Sequence, residues 1–226
     1  VRGVDISNIV FMGMGEPLDN SENVAAAIEI LTDPNGPALA PSKVTISTVG
    51  RIDGLRKLAG LVARPGMHRL GLAVSINAPR DEVRSQIMPI NRAMPMGELR
   101  RALLEFPHYG KRKICFEYVL IPGVNDARQD ATDLAAWLAP FGSIGPEGQS
   151  RSPLALVNLI PYNPRRESPW PAPSEERVDE FMGWLRADGV YAKRRRTKGR
   201  TMMGACGQLG TPEIRKRRYV GVTIGR

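Results

Sequence analysis

Cysteine is almost missing from this chain: its 226 residues hold two, Cys115 and Cys206. Two separated thiols make no disulfide framework and are too few to hold a metal ion or cluster unaided. Both are read as free. Histidine is equally scarce, and His68 and His108 have no partner at ligand spacing, so neither is given a role. No apolar run approaches the roughly twenty residues of a spanning helix, and the N-terminus lacks the basic, apolar and small-residue order of a secretory signal. These absences predict a soluble, cytoplasmic protein that does not associate with membranes. No internal repeat of fixed period and no low-complexity tract is present. Negative charge is missing from one region only. Residues 191–226 carry eleven Lys or Arg against one acid, Glu213, while the other 190 residues hold 21 basic and 22 acidic groups, giving +9 in all. A basic end on a neutral body suits a polyanion, because phosphate neutralisation supplies most sequence-independent nucleic-acid affinity. A solvated charged tail accounts for the charge equally well.

What is present is alternation. Apolar, β-branched runs recur at Asn8–Met14, Lys43–Val49, Leu70–Asn77, Lys113–Ile121 and Leu154–Asn163. Between them lie segments with helical spacing: Val24, Ile28 and Leu31; Leu55, Leu58 and Val62; Leu99, Leu103 and Phe106; Ala131, Leu134 and Leu138. Near-continuous apolar strands separated by helix-length crossovers predict a parallel sheet, hence an α/β fold. After a proline-rich connection, a helix is expected from about Ser174 to Asp188, capped by Ser174 and ended by Gly189. A short strand in "VYAKRRRT" should follow. Phe141 to Pro153 has no apolar period and reads as a surface loop.

The polar residues share a position. Gly15 and Glu16 follow the first strand, Ser47 and Thr48 close the second, Ser75 and Asn77 the third, and Asn163 the fifth. In a parallel barrel those ends form one rim where ligands bind; in an open sheet only the switch-point crevice collects them. Such ends on four of the strands favour the barrel. In "GMGEP" a glycine lets the main chain approach a ligand, and Glu16 suits a cationic group. A plain strand-to-helix turn with a solvent-facing Glu explains the same residues, and Ser47, Ser75, Asn77 and Asn163 could each serve as a cap or turn. Dinucleotide binding fits badly, since no third glycine opens the helix. Cys206, in "MMGACGQLG", sits among small residues near Arg194, Arg195, Arg196, Lys198 and Arg200, where a thiol ionises more readily. It is a candidate nucleophile. Cys115, within "KICFEYVL", is expected to be buried and inert.

Taken together, "NIVFMGMGEPLDNSENV", "KVTISTVG", "LAVSINAPRDEVRSQIMPINR", "FEYVLIPGVND", "VNLIPYNP" and "ACGQL" resemble, in order, blocks of the radical S-adenosylmethionine enzymes that methylate C2 of adenine in large-subunit ribosomal RNA, with transfer RNA as a second substrate in some members. The resemblance implies a partial, TIM-like (βα)6 radical SAM barrel of which this chain supplies all but the first strand. Residues 1–190 would form the barrel, and 191–226 a basic segment with the catalytic-cysteine loop. By motif match, Gly15, Glu16, Ser47, Ser75, Ile76, Asn77 and Asn163 fall where the family contacts S-adenosylmethionine. Cys206 falls on the cysteine that carries the methyl group as an S-methylcysteine intermediate. The cationic positions Arg194, Arg195, Arg196, Lys198, Arg200, Arg215, Lys216, Arg217 and Arg218 would meet RNA. An electron donor and a monomeric state are also implied.

The departures are as informative. The family holds a [4Fe–4S] cluster on a Cys-x-x-x-Cys-x-x-Cys run upstream of "GMGEP", and this chain has no such run, so it provides no metal ligands. Asn77 stands where a histidine is common, and "GRTMMGACGQL" lacks the acidic residues many members carry before the cysteine. The expectation is therefore the C-terminal part of a longer methyltransferase, inactive by itself. Two other readings remain: a degenerate RNA-binding barrel that has lost its chemistry, and an unrelated barrel enzyme acting on an anionic metabolite.

Overall fold

The computed structural model describes residues 6–12, 15–109, 113–142, 154–164 and 168–195. Six strands are present: β1 (Ile9–Phe11), β2 (Val44–Thr48), β3 (Gly71–Ser75), β4 (Ile114–Leu120), β5 (Ala155–Pro161) and β6 (Ala192–Arg194). All neighbours pair in parallel, in the order β1-β2-β3-β4-β5-β6. The helices of the crossovers are α1 (Ser21–Thr32), α2 (Ile52–Val62), α3 (Asp81–Ile87), α4 (Met96–Glu105), α5 (Arg128–Leu138) and α6 (Glu175–Ala187). Sequential order without reversal separates the two architectures left open above. Parallel crossovers are right-handed, so six strands laid down in one direction keep their helices on one face and turn the other inward. A doubly wound sheet would reverse at a switch point. The sheet is barrel-like. The count of six is met by the five runs and the short strand in "VYAKRRRT", without the further strand that the resemblance places ahead of β1.

Alternation along the strands sorts side chains between the two faces. Ile46, Val74, Phe116, Tyr118, Val157 and Leu159 are fully buried and join Leu55, Leu99, Leu134 and Phe181 of the helices in one apolar cluster. Aromatic contacts fasten the β4 face: Phe116 meets Trp137 at 5.6 Å and Phe141 at 5.1 Å, and Tyr118 stacks on Phe181 at 5.4 Å. Burying each such ring contributes about 1.5–3 kcal/mol. Ser47, Cys115, Glu117 and Asn158 occupy the alternate, inward positions and are less apolar for that reason.

The predicted capping of α6 is observed, with Ser174 Oγ accepting from Arg177 N at 3.2 Å. Gly189, at φ +75°, follows the helix as a left-handed stop. Helix α3 was not foreseen. It has seven residues, and its Asp81, Glu82 and Arg84 mask the apolar spacing of Val83 and Ile87. The expected loop at Phe141 to Pro153 lies mostly outside the described residues. The basic segment enters the sheet as β6, and its Arg195 N bonds Leu159 O at 2.8 Å. Among the described residues, no helix is long and apolar enough to cross a membrane.

Candidate functional site

At the end of β1, Gly15 has φ +94°, and a Cβ built there would meet nothing within 4 Å. The main chain is thus open to an incoming group. Glu16 is half-buried and bonds in two directions. Its Oε1 accepts from Leu18 N at 3.0 Å, capping the 3-10 turn Pro17–Asn20, and its Oε2 accepts from Val49 N at 2.7 Å, tying β1 to the end of β2. Burial raises its pKa above the usual carboxylate value; the Val49 and Leu18 N–H groups and Thr48 oppose that shift.

The ends of β2 and β3 are braced from behind by residues that sequence reasoning missed. Arg84 on α3 is fully buried. Its Nε donates to Ile76 O at 2.9 Å, Nη1 to Asn91 Oδ1 at 2.8 Å, and Nη2 to Val49 O at 2.6 Å and Ser75 O at 3.2 Å. Burial brings its pKa down to about 10, so it remains charged at neutral pH. Asn77 has φ +55°, a left-handed conformation that asparagine tolerates better than most residues. Its Oδ1 accepts from Val119 N at 3.0 Å and its Nδ2 lies 3.1 Å from Met88 Sδ. Asn125, with no exposed surface, donates to Asn77 O at 2.6 Å and Val119 O at 2.8 Å, and accepts from Ile121 N at 2.7 Å. Ile76 is also fully buried. The distant partners, Val49 for Arg84 and Asn77 for Asn125, carry no short-range pattern.

Inside the barrel one carboxylate gathers four strands. Glu117 of β4 is 5% exposed. Its Oε2 accepts from Ser47 Oγ at 3.2 Å and Ser75 Oγ at 3.4 Å. Its Oε1 accepts from Asn158 Nδ2 at 3.5 Å and Arg195 Nη1 at 3.3 Å. The same Nη1 lies 4.0 Å from Met12 Sδ, which brings the two outer strands of the sheet toward each other. The sequence carried a signal for Glu117 in a lone acid within the apolar run "ICFEYVL". Cys115, one inward position earlier, is half-buried. Burial pushes its thiol up to about 11, with Glu117 adding to the shift and Arg195 opposing it. Such a thiol is a poor nucleophile.

Asn163, beyond β5, is 6% exposed, and its Oδ1 is buried with no hydrogen-bond partner among the described residues. Nearly all buried polar atoms in folded proteins are paired, and leaving one unpaired costs about 1–3 kcal/mol. An acceptor left over at the same strand ends as the open Gly15 backbone fits a ligand that brings donors, as an amino acid and nucleoside such as S-adenosylmethionine do. Of the predicted RNA contacts, Arg194 and Arg195 are described and both bond carboxylates within the fold: Arg194 bonds Glu175 and Arg195 bonds Glu117. Cys206, Arg196, Lys198, Arg200, Arg215, Lys216, Arg217 and Arg218 lie outside the described residues. Among those described, no group of His, Cys, Asp or Glu could hold a metal ion. With two cysteines in the whole sequence, a [4Fe–4S] cluster does not fit this chain. A cavity of about 440 Å³ lies between α1 and α2, but none of these polar strand-end residues lines it.

No protein-family model matches the chain. Curated relatives do. It is 42% identical over 204 residues to a dual-specificity RNA methyltransferase RlmN from Syntrophotalea carbinolica, covering 90% of this chain and 50% of that protein. A probable enzyme of the same name from Parafrankia sp. is 43% identical over 215 residues, 94% of this chain and 51% of the relative. The crystal structure of a radical SAM methyltransferase from Sphaerobacter thermophilus superposes with a TM-score of 0.76 at 39% identity, over 91% of this chain and 55% of that one. A domain of pyruvate-formate lyase-activating enzyme from Bacteroides vulgatus shares the fold alone, with a TM-score of 0.56 at 18% identity. By sequence and by fold, this chain belongs to the radical SAM RNA methyltransferase family of those relatives, and it spans about half the length of the curated relatives it matches.

Proposed function

We propose that the chain forms the S-adenosylmethionine-binding part of an enzyme that methylates C2 of adenine in 23S ribosomal RNA, with transfer RNA as a second substrate. The observation that carries this is the buried Oδ1 of Asn163, unpartnered among the described residues and set at the same strand ends as the open backbone of Gly15. In this reading Gly15 and Glu16 receive the ligand's amino-acid end, Glu16 opposing its ammonium group. Ser47, Ser75 and Asn163 line the remainder of the site through their side chains, and Ile76 and Asn77, whose main-chain groups bond Glu117, Arg84 and Asn125, shape it from behind. The cofactor, when bound, supplies the methyl group and, with an iron–sulfur cluster whose ligands this chain lacks, radical chemistry. Cys206 is the thiol that carries the methyl group toward adenine. The chain through Arg195, β6 included, contributes the barrel, and the basic segment beyond it supplies positive charge for RNA. The rest of the reading is a cytoplasmic monomer served by a separate electron donor, without activity when the chain stands alone.

Calorimetric titration of the 226-residue chain with S-adenosylhomocysteine tests the site without requiring turnover. One saturable site is expected, with affinity about tenfold weaker in Asn163→Ala. A chain that takes up no S-adenosylhomocysteine, or that binds it equally well after that substitution, overturns the reading.

A further inference from the structure

We propose that Glu117 is a positioning residue: it fixes the Ser47 and Ser75 hydroxyls so that both present acceptor lone pairs, rather than protons, to a ligand at the strand ends. This rests on the cofactor-site reading above and adds a residue and a bonding polarity to it. The register sets Ser75 beside Glu117 and Glu117 beside Asn158, so the three form one layer of the barrel interior. Ser47 reaches the same carboxylate from β2, and Arg195 reaches it from beyond β6. An ionised carboxylate offers about four acceptor sites and no donor, whereas a serine hydroxyl has one proton and two lone pairs. Both serine protons are therefore spent on Glu117, at 3.2 and 3.4 Å. What each hydroxyl can still offer is an acceptor, which selects ammonium, amino or ribose hydroxyl donors.

The lengths of the bonds argue against a purely structural role. All four fall between 3.2 and 3.5 Å, against about 2.7–2.9 Å for a strong charge-assisted pair. The pair with Arg195, whose side chain is partly exposed, also contributes little to stability. Arg195 pairs with the carboxylate through Nη1, so the pair brings no net charge to the layer.

The experiment compares S-adenosylhomocysteine affinity and thermal midpoint in the unaltered chain, Glu117→Gln, the double variant Ser47→Ala/Ser75→Ala, and the triple variant. Glutamine keeps the volume but brings an amide donor against the serine protons. Glu117→Gln is expected to weaken binding about tenfold or more, and the double variant by a similar factor. Adding Glu117→Gln to the double variant should cost less than about a further twofold, because Glu117 acts through those hydroxyls. Unchanged affinity in Glu117→Gln overturns the proposal, as does a full additional tenfold loss in the triple variant, which would mean direct contact. Should Glu117→Gln fail to fold, the serine pair decides: unchanged affinity there also overturns it. If the unaltered chain binds no S-adenosylhomocysteine, the site reading itself falls and takes this inference with it. A negative result confined to the variants leaves the site reading standing.

Discussion

The two sides of the strand-end rim are built on opposite principles. Around β1 to β4, the polar side chains bond the main chain of neighbouring strand ends: Glu16 accepts from Val49 N, Arg84 gathers the Val49, Ser75 and Ile76 carbonyls, and Asn125 links the Asn77 and Val119 carbonyls. On β5, Asn158 reaches Glu117 only at 3.5 Å, and just beyond it Asn163 Oδ1 has no partner among the described residues. A group whose bonding capacity is used up inside the fold shapes a site. A group with capacity left over can bind. The braced side should therefore govern stability and the open side affinity.

The largest expected effect tests the first half of that contrast. Arg84→Met removes the donor shared by three main-chain carbonyls and Asn91, all at a fully buried position. Each buried acceptor left without its donor costs about 1–3 kcal/mol, and several together correspond to roughly 10 °C in thermal midpoint for a chain of this size. A midpoint within about 2 °C of the unaltered chain would show that the brace is incidental. Asn125→Ala comes next. It strips Ile121 N of its acceptor and two carbonyls of their donor, for about 2–3 kcal/mol. Urea unfolding would register this as a lower midpoint with unchanged slope.

This division explains what could be read from the sequence. Apolar runs and helical spacing placed the strands and most of the helices because both periods are local. The barrel followed from polar residues recurring at strand ends. The partners were hidden, since nothing near Glu16 announces a bond to Val49 33 positions later, and Arg84 in a charged stretch looks like surface. Glu117 was visible as a lone acid in an apolar strand, yet its four donors come from three other strands and Arg195. Sequence named the residue types at the rim; only the packing tells which are already occupied.

Asn163→Ala sharpens the second half of the contrast. It removes an acceptor that bonds nothing among the described residues, so the thermal midpoint should stay within about 1–2 °C, while S-adenosylhomocysteine affinity falls about tenfold. A midpoint loss like that of Asn125→Ala would place Asn163 with the braced side and erase the distinction.

The smallest effect concerns Glu16, which belongs to both sides at once. Burial holds its pKa above the ordinary value of 4.5, and the N–H groups of Val49 and Leu18 only partly offset this. The folded chain therefore binds that proton more readily than the unfolded chain does. The associated stability is full below 4.5 and is lost as pH rises through the raised value. Against Glu16→Gln, which does not titrate, the unaltered chain should lose ground in urea unfolding as pH climbs from about 4 to 7. A difference that moves the other way would mean that the two N–H bonds outweigh burial and that Glu16 is purely a brace. A carboxylate ionised against its surroundings is instead a group that a cation would relieve. Bound S-adenosylhomocysteine, with its ammonium, should then narrow or reverse the pH trend in the unaltered chain and leave that of Glu16→Gln unchanged.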